Sequence, residues 1–122
     1  MLDRPRVLII DKDRRTVDQL QEHFIQRGCE AEVALSASVG LSILEKRRMS
    51  AAILNAHLGH ESNWNLVRRI RASDPKLPLV LFNGANVKGL SREARRAGVT
   101  RFLLQPSEIE TVLSETMEVV NG

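Results

Sequence analysis

The chain has few cysteine and aromatic residues. It contains one cysteine, Cys29, no tyrosine, one tryptophan and three phenylalanines in 122 residues. A single cysteine cannot form an internal disulfide, so a disulfide-stabilised secreted scaffold is excluded and Cys29 is predicted to be a small buried residue. The aromatic fraction of 3% is too small for a surface that stacks nucleic-acid bases.

Long apolar runs and an excess of one charge are also missing. No segment approaches the roughly 20 apolar residues of a membrane span, and the N-terminus lacks the apolar core of a signal peptide. We therefore expect a cytoplasmic protein without membrane contact. The 18 basic and 15 acidic residues give a net charge of +3. Because the basic residues are spread along the chain in doublets such as Arg68-Arg69, direct nucleic-acid binding is not predicted.

What the chain does contain is a regular alternation of two apolar patterns. Five segments have the composition of buried or half-buried strands, and they cover residues 7–10, 30–35, 51–54, 79–82 and 101–104. Apolar residues recur at helical spacing after each of them. Ser36 is predicted to cap the second helix, Asn83-Gly84 to break the fourth strand and Ser107 to begin the last helix.

Strict alternation of strands and helices predicts right-handed crossovers and a parallel sheet covered on both faces. The predicted fold class is α/β: a doubly wound, five-stranded parallel sheet of order 2-1-3-4-5 in a flavodoxin-like three-layer sandwich. The chain is predicted to form one domain over residues 1–122, with a structured core over 5–120. In such a sheet, functional residues lie at the carboxyl ends of strands one and three. These ends are Asp11-Lys12-Asp13 and Asn55-Ala56-His57.

In the order and spacing of these motifs, nearly the whole chain resembles the receiver domains of response regulators, the CheY-like family. That family has an acidic pair after strand one, a phosphoacceptor aspartate after strand three, a hydroxyl residue after strand four and a lysine before a proline after strand five. The corresponding residues here are Asp11-Lys12, Asn55, Asn83 and Gln105-Pro106. Phe102 matches the aromatic switch position of the family.

The resemblance implies a degenerate phosphoacceptor pocket formed by Asp11, Lys12, Asn55, Asn83 and Gln105. An asparagine carboxamide has no anionic oxygen that could attack phosphorus. One acid beside a lysine offers too little negative charge to dehydrate magnesium. We therefore expect no catalytic residue, no enzymatic activity, no bound metal and no cofactor.

Several alternatives remain open at this pocket. Lys12 either pairs with Asp11 or extends into solvent, as lysines at strand ends usually do. The polar cluster either locks one conformation or reflects drift in an unused site. The leading hypothesis is a pseudo-receiver that acts on a protein partner or output domain, as the N-terminal part of a longer regulator. The alternatives are a sensor switched by a small ligand or anion in the pocket, and phosphorylation of Asp11 or Asp13 instead.

Charge on the last two helices suggests an interface. Helix four is basic and helix five acidic, which suits a homodimer through helix 4, strand 5 and helix 5, or else a solvated face with weak ion pairs. The residues concerned are Lys88, Arg92, Arg95, Arg101, Glu110 and Glu118. Trp64 is either a partner anchor or a packing residue, with packing favoured. His57 and His60 are predicted to be solvated loop residues rather than zinc ligands.

Overall fold

A computed structural model describes residues 4–57 and 63–122 of the chain, and in these residues five strands alternate with five helices. The elements are β1 (Arg6–Ile10), α1 (Arg14–Gln26), β2 (Glu30–Ala34), α2 (Ala37–Lys46), β3 (Ala51–Asn55), α3 (Asn63–Ser73), β4 (Leu79–Gly84), α4 (Leu90–Ala97), β5 (Arg101–Leu104) and α5 (Ile109–Asn121). No described helix has the length and apolar character needed to cross a bilayer. The prediction for His60 lies outside the described residues.

The five strands form one parallel sheet of order β2-β1-β3-β4-β5. The interior strand β1 pairs on both sides, with Val7 opposite Ala31 of β2 and Ala51 of β3. Crossover helices cover both faces of such a sheet, so most residues of its interior strands are buried. The predicted fold class and strand order are confirmed.

Side chains of β1 alternate between two core layers because successive residues of a strand point to opposite faces. Leu8 and Ile10 pack in the cluster that includes residues of α2, α3 and α4, whereas Val7 and Ile9 pack in the cluster that includes residues of α1 and α5. All four side chains have 0% exposure. This burial on both faces explains the uninterrupted apolar run at residues 7–10.

Two local predictions are confirmed. Ser36 caps α2, and its side chain accepts a hydrogen bond from the Val39 N–H. Cys29 is buried, and its Sγ lies 3.5 Å from the Met117 Sδ. Burial raises the pKa of the Cys29 thiol, and the positive charge of Arg27 acts in the opposite direction.

The break predicted at Asn83-Gly84 is wrong, because β4 continues to Gly84. Asn83 has a φ of +58°, and the register shifts between Leu81 and Gly84, so the strand absorbs an irregularity and then pairs again with Leu104. Asparagine tolerates this left-handed conformation better than most residues. The predicted break signal is therefore a β-bulge inside the strand.

The predicted beginning of the last helix is also corrected. α5 begins at Ile109 with Glu108 as the N-cap residue, so Ser107 lies before the helix. Leu35 follows the end of β2 and is 37% exposed, although its alternation with Val33 predicted a place on the buried face. In both places the element boundary differs by one or two residues from the sequence pattern, which is the usual uncertainty at element ends.

Candidate functional site

The five predicted pocket residues line one open depression at the carboxyl edge of the sheet. Its lining comprises Asp11, Lys12, Asp13, Asn55, His57, Asn83, Gln105 and Pro106. The carboxyl ends of parallel strands meet at this edge, which is where ligand sites of doubly wound sheets lie. The structure thus brings together all the residues that the sequence assigned to the pocket.

Asp11 is the buried charged residue of this depression, with 1% exposure. Its Oδ1 accepts a hydrogen bond from the Asp13 N–H at 3.1 Å, and its Oδ2 accepts one from the Asn55 side-chain amide at 2.9 Å. Hydrogen bonds to a carboxylate are stronger than those between neutral groups. Both oxygens of Asp11 therefore have a donor within the chain.

Asn55 links Asp11 to the loop that follows β3. While its Nδ2 donates to Asp11, its Oδ1 accepts a hydrogen bond from the His57 N–H at 2.7 Å. Only a carboxamide can donate and accept in this way, since an ionised carboxylate is an acceptor alone. The same atoms leave no anionic oxygen at this position to attack phosphorus.

The lysine of the depression is exposed to solvent rather than paired with the buried acid. Lys12 is exposed, and no ion pair joins it to Asp11 among the described residues. Of the two arrangements predicted for Lys12, the structure shows the solvent-exposed one. Gln105 is also exposed. Its backbone N–H donates to the Gly84 carbonyl at 2.8 Å, and its peptide bond to Pro106 is cis.

Asn83 is held by a reciprocal pair of hydrogen bonds that the sequence did not predict. The Asn83 N–H donates to the Ser107 Oγ, and the Ser107 N–H donates to the Asn83 Oδ1, each at 2.8 Å. The Ser107 hydroxyl donates in turn to the Leu104 carbonyl at 2.8 Å. These bonds tie the end of β4 to the segment between β5 and α5. The sequence signal was Ser107 itself, which was predicted to begin the last helix.

Phe102 lies half-buried against the core layer beneath α2, α3 and α4. Its ring occupies the space beside Gly84, where an added Cβ would lie 2.3 Å from the Phe102 Cζ. Real Cβ atoms essentially never approach a ring so closely. The glycine therefore permits the observed ring position, whereas the sequence had predicted only a strand break at Gly84.

The donor atoms of this depression do not fit a magnesium ion. Mg²⁺ prefers octahedral oxygen ligands, usually one or two carboxylates together with water. The buried carboxylate of Asp11 already accepts two N–H donors, one of them from Asn55. Over the described residues, no group of three or more histidine, cysteine, aspartate or glutamate side chains is arranged for a metal.

Some charged residues of the predicted interface form ion pairs within the chain. Arg101 lies 3.2 Å from Glu118 and 4.0 Å from Glu115, and Glu110 lies 2.8 Å from Arg27. Two apolar side chains nearby are exposed: Val87 before α4 by 60%, and Leu104 at the end of β5 by 48%.

The other predicted interface residues and the tryptophan are placed as follows. Lys88, Arg92 and Arg95 are exposed. Trp64 is half-buried and packs against the same core layer as Phe102. Of the two roles considered for Trp64, this packing contact agrees with the favoured one.

Comparison with known families gives one match over most of the chain. A family model described as response regulator receiver domain matches residues 7–116. RegA, the photosynthetic apparatus regulatory protein of Rhodobacter capsulatus, is 23% identical over 87% of this chain and 58% of its own length. The heme response regulator HssR of Staphylococcus saprophyticus is 22% identical over 87% of this chain and 47% of its own length. The chain thus spans about half the length of these relatives.

Solved structures show the same fold over whole chains. A CheY-like response regulator receiver domain protein from Methanospirillum hungatei superposes with a TM-score of 0.89 at 21% identity, covering 98% of this chain and 95% of its own. The chemotaxis response regulator CheY4 of Vibrio cholerae gives a TM-score of 0.87 at 19% identity, covering 96% of this chain and 99% of its own. At such identities the likeness concerns the fold alone.

Proposed function

Since the chain belongs to the response regulator receiver domain family, we propose that it is a non-enzymatic receiver of two-component signalling that does not accept a phosphoryl group at the usual site. The proposal is carried by one observation, the 2.9 Å hydrogen bond from the Asn55 amide to Asp11. At this place the family has a nucleophilic carboxylate beside an acidic pair. The amide replaces both the nucleophile and the need for a bridging cation, because it can donate directly to Asp11.

The same hydrogen bond supports loss of the magnesium ion. To bind a cation at Asp11, the chain would have to give up the Asn55 bond and expose a carboxylate that is 1% exposed. Breaking a satisfied buried hydrogen bond to a charged group costs about 1.5 to 3 kcal/mol. The other carboxylate of the depression, that of Asp13, already accepts hydrogen bonds from the Arg15 N–H and the Thr16 hydroxyl.

We further propose that the domain is held in one conformation. The reciprocal pair between Asn83 and Ser107 fixes the position at which the family hydroxyl would move toward a phosphoryl group. Phe102, at the position of the aromatic switch, fills the space that Gly84 leaves open. Both contacts use only groups of the chain itself, and they support a constitutive state of this surface.

In this proposal the signal leaves through a protein contact. The face formed by α4, β5 and α5 is the candidate, because Val87 and Leu104 expose apolar surface there beside the exposed Lys88. Its partner is a second copy of the chain or an output domain of the same protein. The ligand-switched alternative is less favoured, because Lys12 is exposed and the Asn55 amide already has two partners.

The phosphorylation proposal is tested with acetyl phosphate, and with beryllofluoride and magnesium, on the unmodified chain. We expect no mass increase and no amide chemical-shift change near Asn55. A phosphoryl adduct at any aspartate, or a saturable magnesium-dependent shift at this site, would contradict the proposal. A phosphorylatable receiver treated in parallel shows that the reagents are active.

A restored variant provides the complementary experiment. Lys12→Asp, Asn55→Asp and Gln105→Lys together return the acids and the lysine that the family uses. If the rest of the family pocket is intact, this triple variant binds magnesium and its mass increases with acetyl phosphate. The control is the variant with Asn55→Asp alone, which lacks the second acid and the lysine. Failure of the triple variant to bind magnesium while folded would mean that more than these positions has changed.

A further inference from the structure

Two neighbouring helices carry a concentration of arginine. α3 has three arginines and no acidic residue, and α4 has three arginines and one glutamate, Glu93. These arginines are Arg68, Arg69, Arg71, Arg92, Arg95 and Arg96. In contrast, α5 has three glutamates and no basic residue. The two layers of helices are therefore oppositely charged.

The fold joins these two helices into one surface. The side chain of Arg71 donates to the Gly98 carbonyl at the end of α4 at 2.9 Å, and its own burial lowers its pKa. Leu66 and Val67 of α3 share a core cluster with Ala94 of α4. The arginines that remain exposed define the α3–α4 basic surface: Arg68, Arg69, Arg92, Arg95 and Arg96.

The arginines of the α3–α4 basic surface lack acidic partners in the described part of the chain. The described ion pairs lie elsewhere, for example between Arg27 and Glu110 or between Arg101 and Glu118. Arg68 has a long contact of 3.4 Å with the Asn65 side-chain oxygen, which is neutral. These guanidinium groups are therefore available to an anion that approaches from solvent.

The composition of this surface indicates what kind of anion it fits. The large apolar side chains that are exposed in the described chain, Ile25, Leu35, Val39, Val87 and Leu104, all lie outside α3 and α4. Protein interfaces depend on apolar or aromatic side chains at their centre. Contacts to the DNA backbone need only cations, and arginine binds phosphate with its planar fork. We propose that the α3–α4 basic surface binds the phosphate backbone of double-stranded DNA without reading its sequence.

This inference departs from the sequence-based expectation of no nucleic-acid contact. Along the chain, the arginines of α3 are separated from those of α4 by β4 and its connecting loops. The sequence therefore shows no continuous basic stripe. Only the parallel topology places α3 beside α4. The inference is independent of the proposed loss of phosphorylation, because none of these arginines lines the phosphoacceptor pocket.

The test is fluorescence anisotropy of a labelled duplex of arbitrary sequence with the 122-residue chain, at salt concentrations from about 50 to 200 mM. The test variant is Arg68→Glu with Arg69→Glu. The matched control is Arg14→Glu with Arg15→Glu, an exposed doublet on α1 that changes the net charge by the same amount. The plot of log affinity against log salt has a negative slope, and we expect its magnitude to be smaller by about 2 in the test variant. Each of the two lost phosphate contacts contributes about 0.9 to this magnitude.

The control variant is expected to keep the parent slope. Three results would overturn the proposal: no salt-dependent binding of the duplex by the parent chain, equal losses in the two variants, or arginine-dependent binding of anionic lipid vesicles without binding of the duplex. Circular dichroism checks that each variant is folded. If the α3 variant does not fold, Arg92→Glu with Arg96→Glu tests the same surface from α4.

Discussion

At the scale of single residues, the contact between Asn55 and Asp11 distinguishes this pocket from a phosphoacceptor site. A carboxamide satisfies a buried carboxylate without any ion. A second carboxylate at the same place would face Asp11 across a hydrogen-bond distance. Two carboxylates so close repel each other when no cation lies between them.

Asn55→Asp is therefore expected to destabilise the domain at neutral pH, by about 1 to 3 kcal/mol, because a hydrogen-bond donor is replaced by a second negative charge. Urea unfolding at pH 7 measures the loss. The loss should shrink as pH falls, because protonation of the introduced carboxylate removes the repulsion. Asn55→Ala is the control, since it removes the donor without adding charge. A stability of Asn55→Asp equal to that of the parent would show that the bond to Asp11 contributes little.

Gly84 and Phe102 form a second residue-level pair. Gly84→Ala is expected to cost about 1 to 3 kcal/mol, because the new methyl group overlaps the Phe102 ring and forces it to move. The variant with both Gly84→Ala and Phe102→Ala should be less destabilised than the sum of the single changes. A double-mutant cycle from denaturant unfolding measures this coupling. Additive effects would mean that the ring does not depend on the space beside Gly84.

Cys29 gives a prediction for pH dependence. Burial raises the pKa of its thiol above the ordinary value of 9.0, so the folded state holds this proton more tightly than the unfolded state. The stabilising contribution is complete below pH 9.0 and is lost as pH rises toward the folded pKa. The free energy of unfolding should therefore fall above that pH in the parent and fall less in Cys29→Ala. The two proteins showing the same decline would contradict this assignment.

At the scale of elements, the reciprocal hydrogen bonds between Asn83 and Ser107 join β4 to the segment before α5. They hold a residue with a positive φ at the edge of the sheet. This explains how a short break signal in the sequence remains part of a strand. The geometry depends on two segments that are 24 residues apart in the chain.

Ser107→Ala is expected to cost about 1 to 3 kcal/mol, because the Asn83 N–H loses its acceptor in a partly buried place. Amide hydrogen exchange should show faster exchange at Asn83 and at the end of β4. Ser107→Thr keeps the hydroxyl and serves as the control. Unchanged protection at Asn83 in Ser107→Ala would indicate that water replaces the serine.

At the scale of the whole molecule, we propose that the face of α4, β5 and α5 is where the chain would associate with itself. Arg101 is already paired with Glu118 within the chain, so this proposal assigns the contact to exposed charges such as Lys88 and apolar groups such as Leu104. We expect Leu104→Glu to reduce any dimer fraction seen by sedimentation velocity at micromolar concentrations. Val39→Glu, an exposed apolar position on α2, is the control. A monomer at all concentrations would contradict self-association through this face.

Much of the fold was predictable because the relevant forces are local or repetitive. The uninterrupted apolar runs at residues 7–10 and 51–54 indicated strands covered on both faces, and the alternation with helices restricted the topology. The pocket residues followed from the family resemblance. Their hydrogen bonding did not, because Lys12 had two open arrangements and Ser107 was predicted to begin the last helix. The sequence around Lys12 or Ser107 does not indicate which distant residue lies next to it in the fold.

The sequence by itself determined which chemical groups stand at the ends of the strands. Asparagine at position 55 excludes the family nucleophile in any conformation, because the anionic oxygen is absent from the residue itself. Only the tertiary structure decided how those groups are used. It paired Asn55 with Asp11, placed the Phe102 ring beside Gly84, and assembled separate arginines of α3 and α4 into one surface. Each of these contacts depends on distances between segments far apart in the chain, which are set by the packing of helices on the twisted sheet.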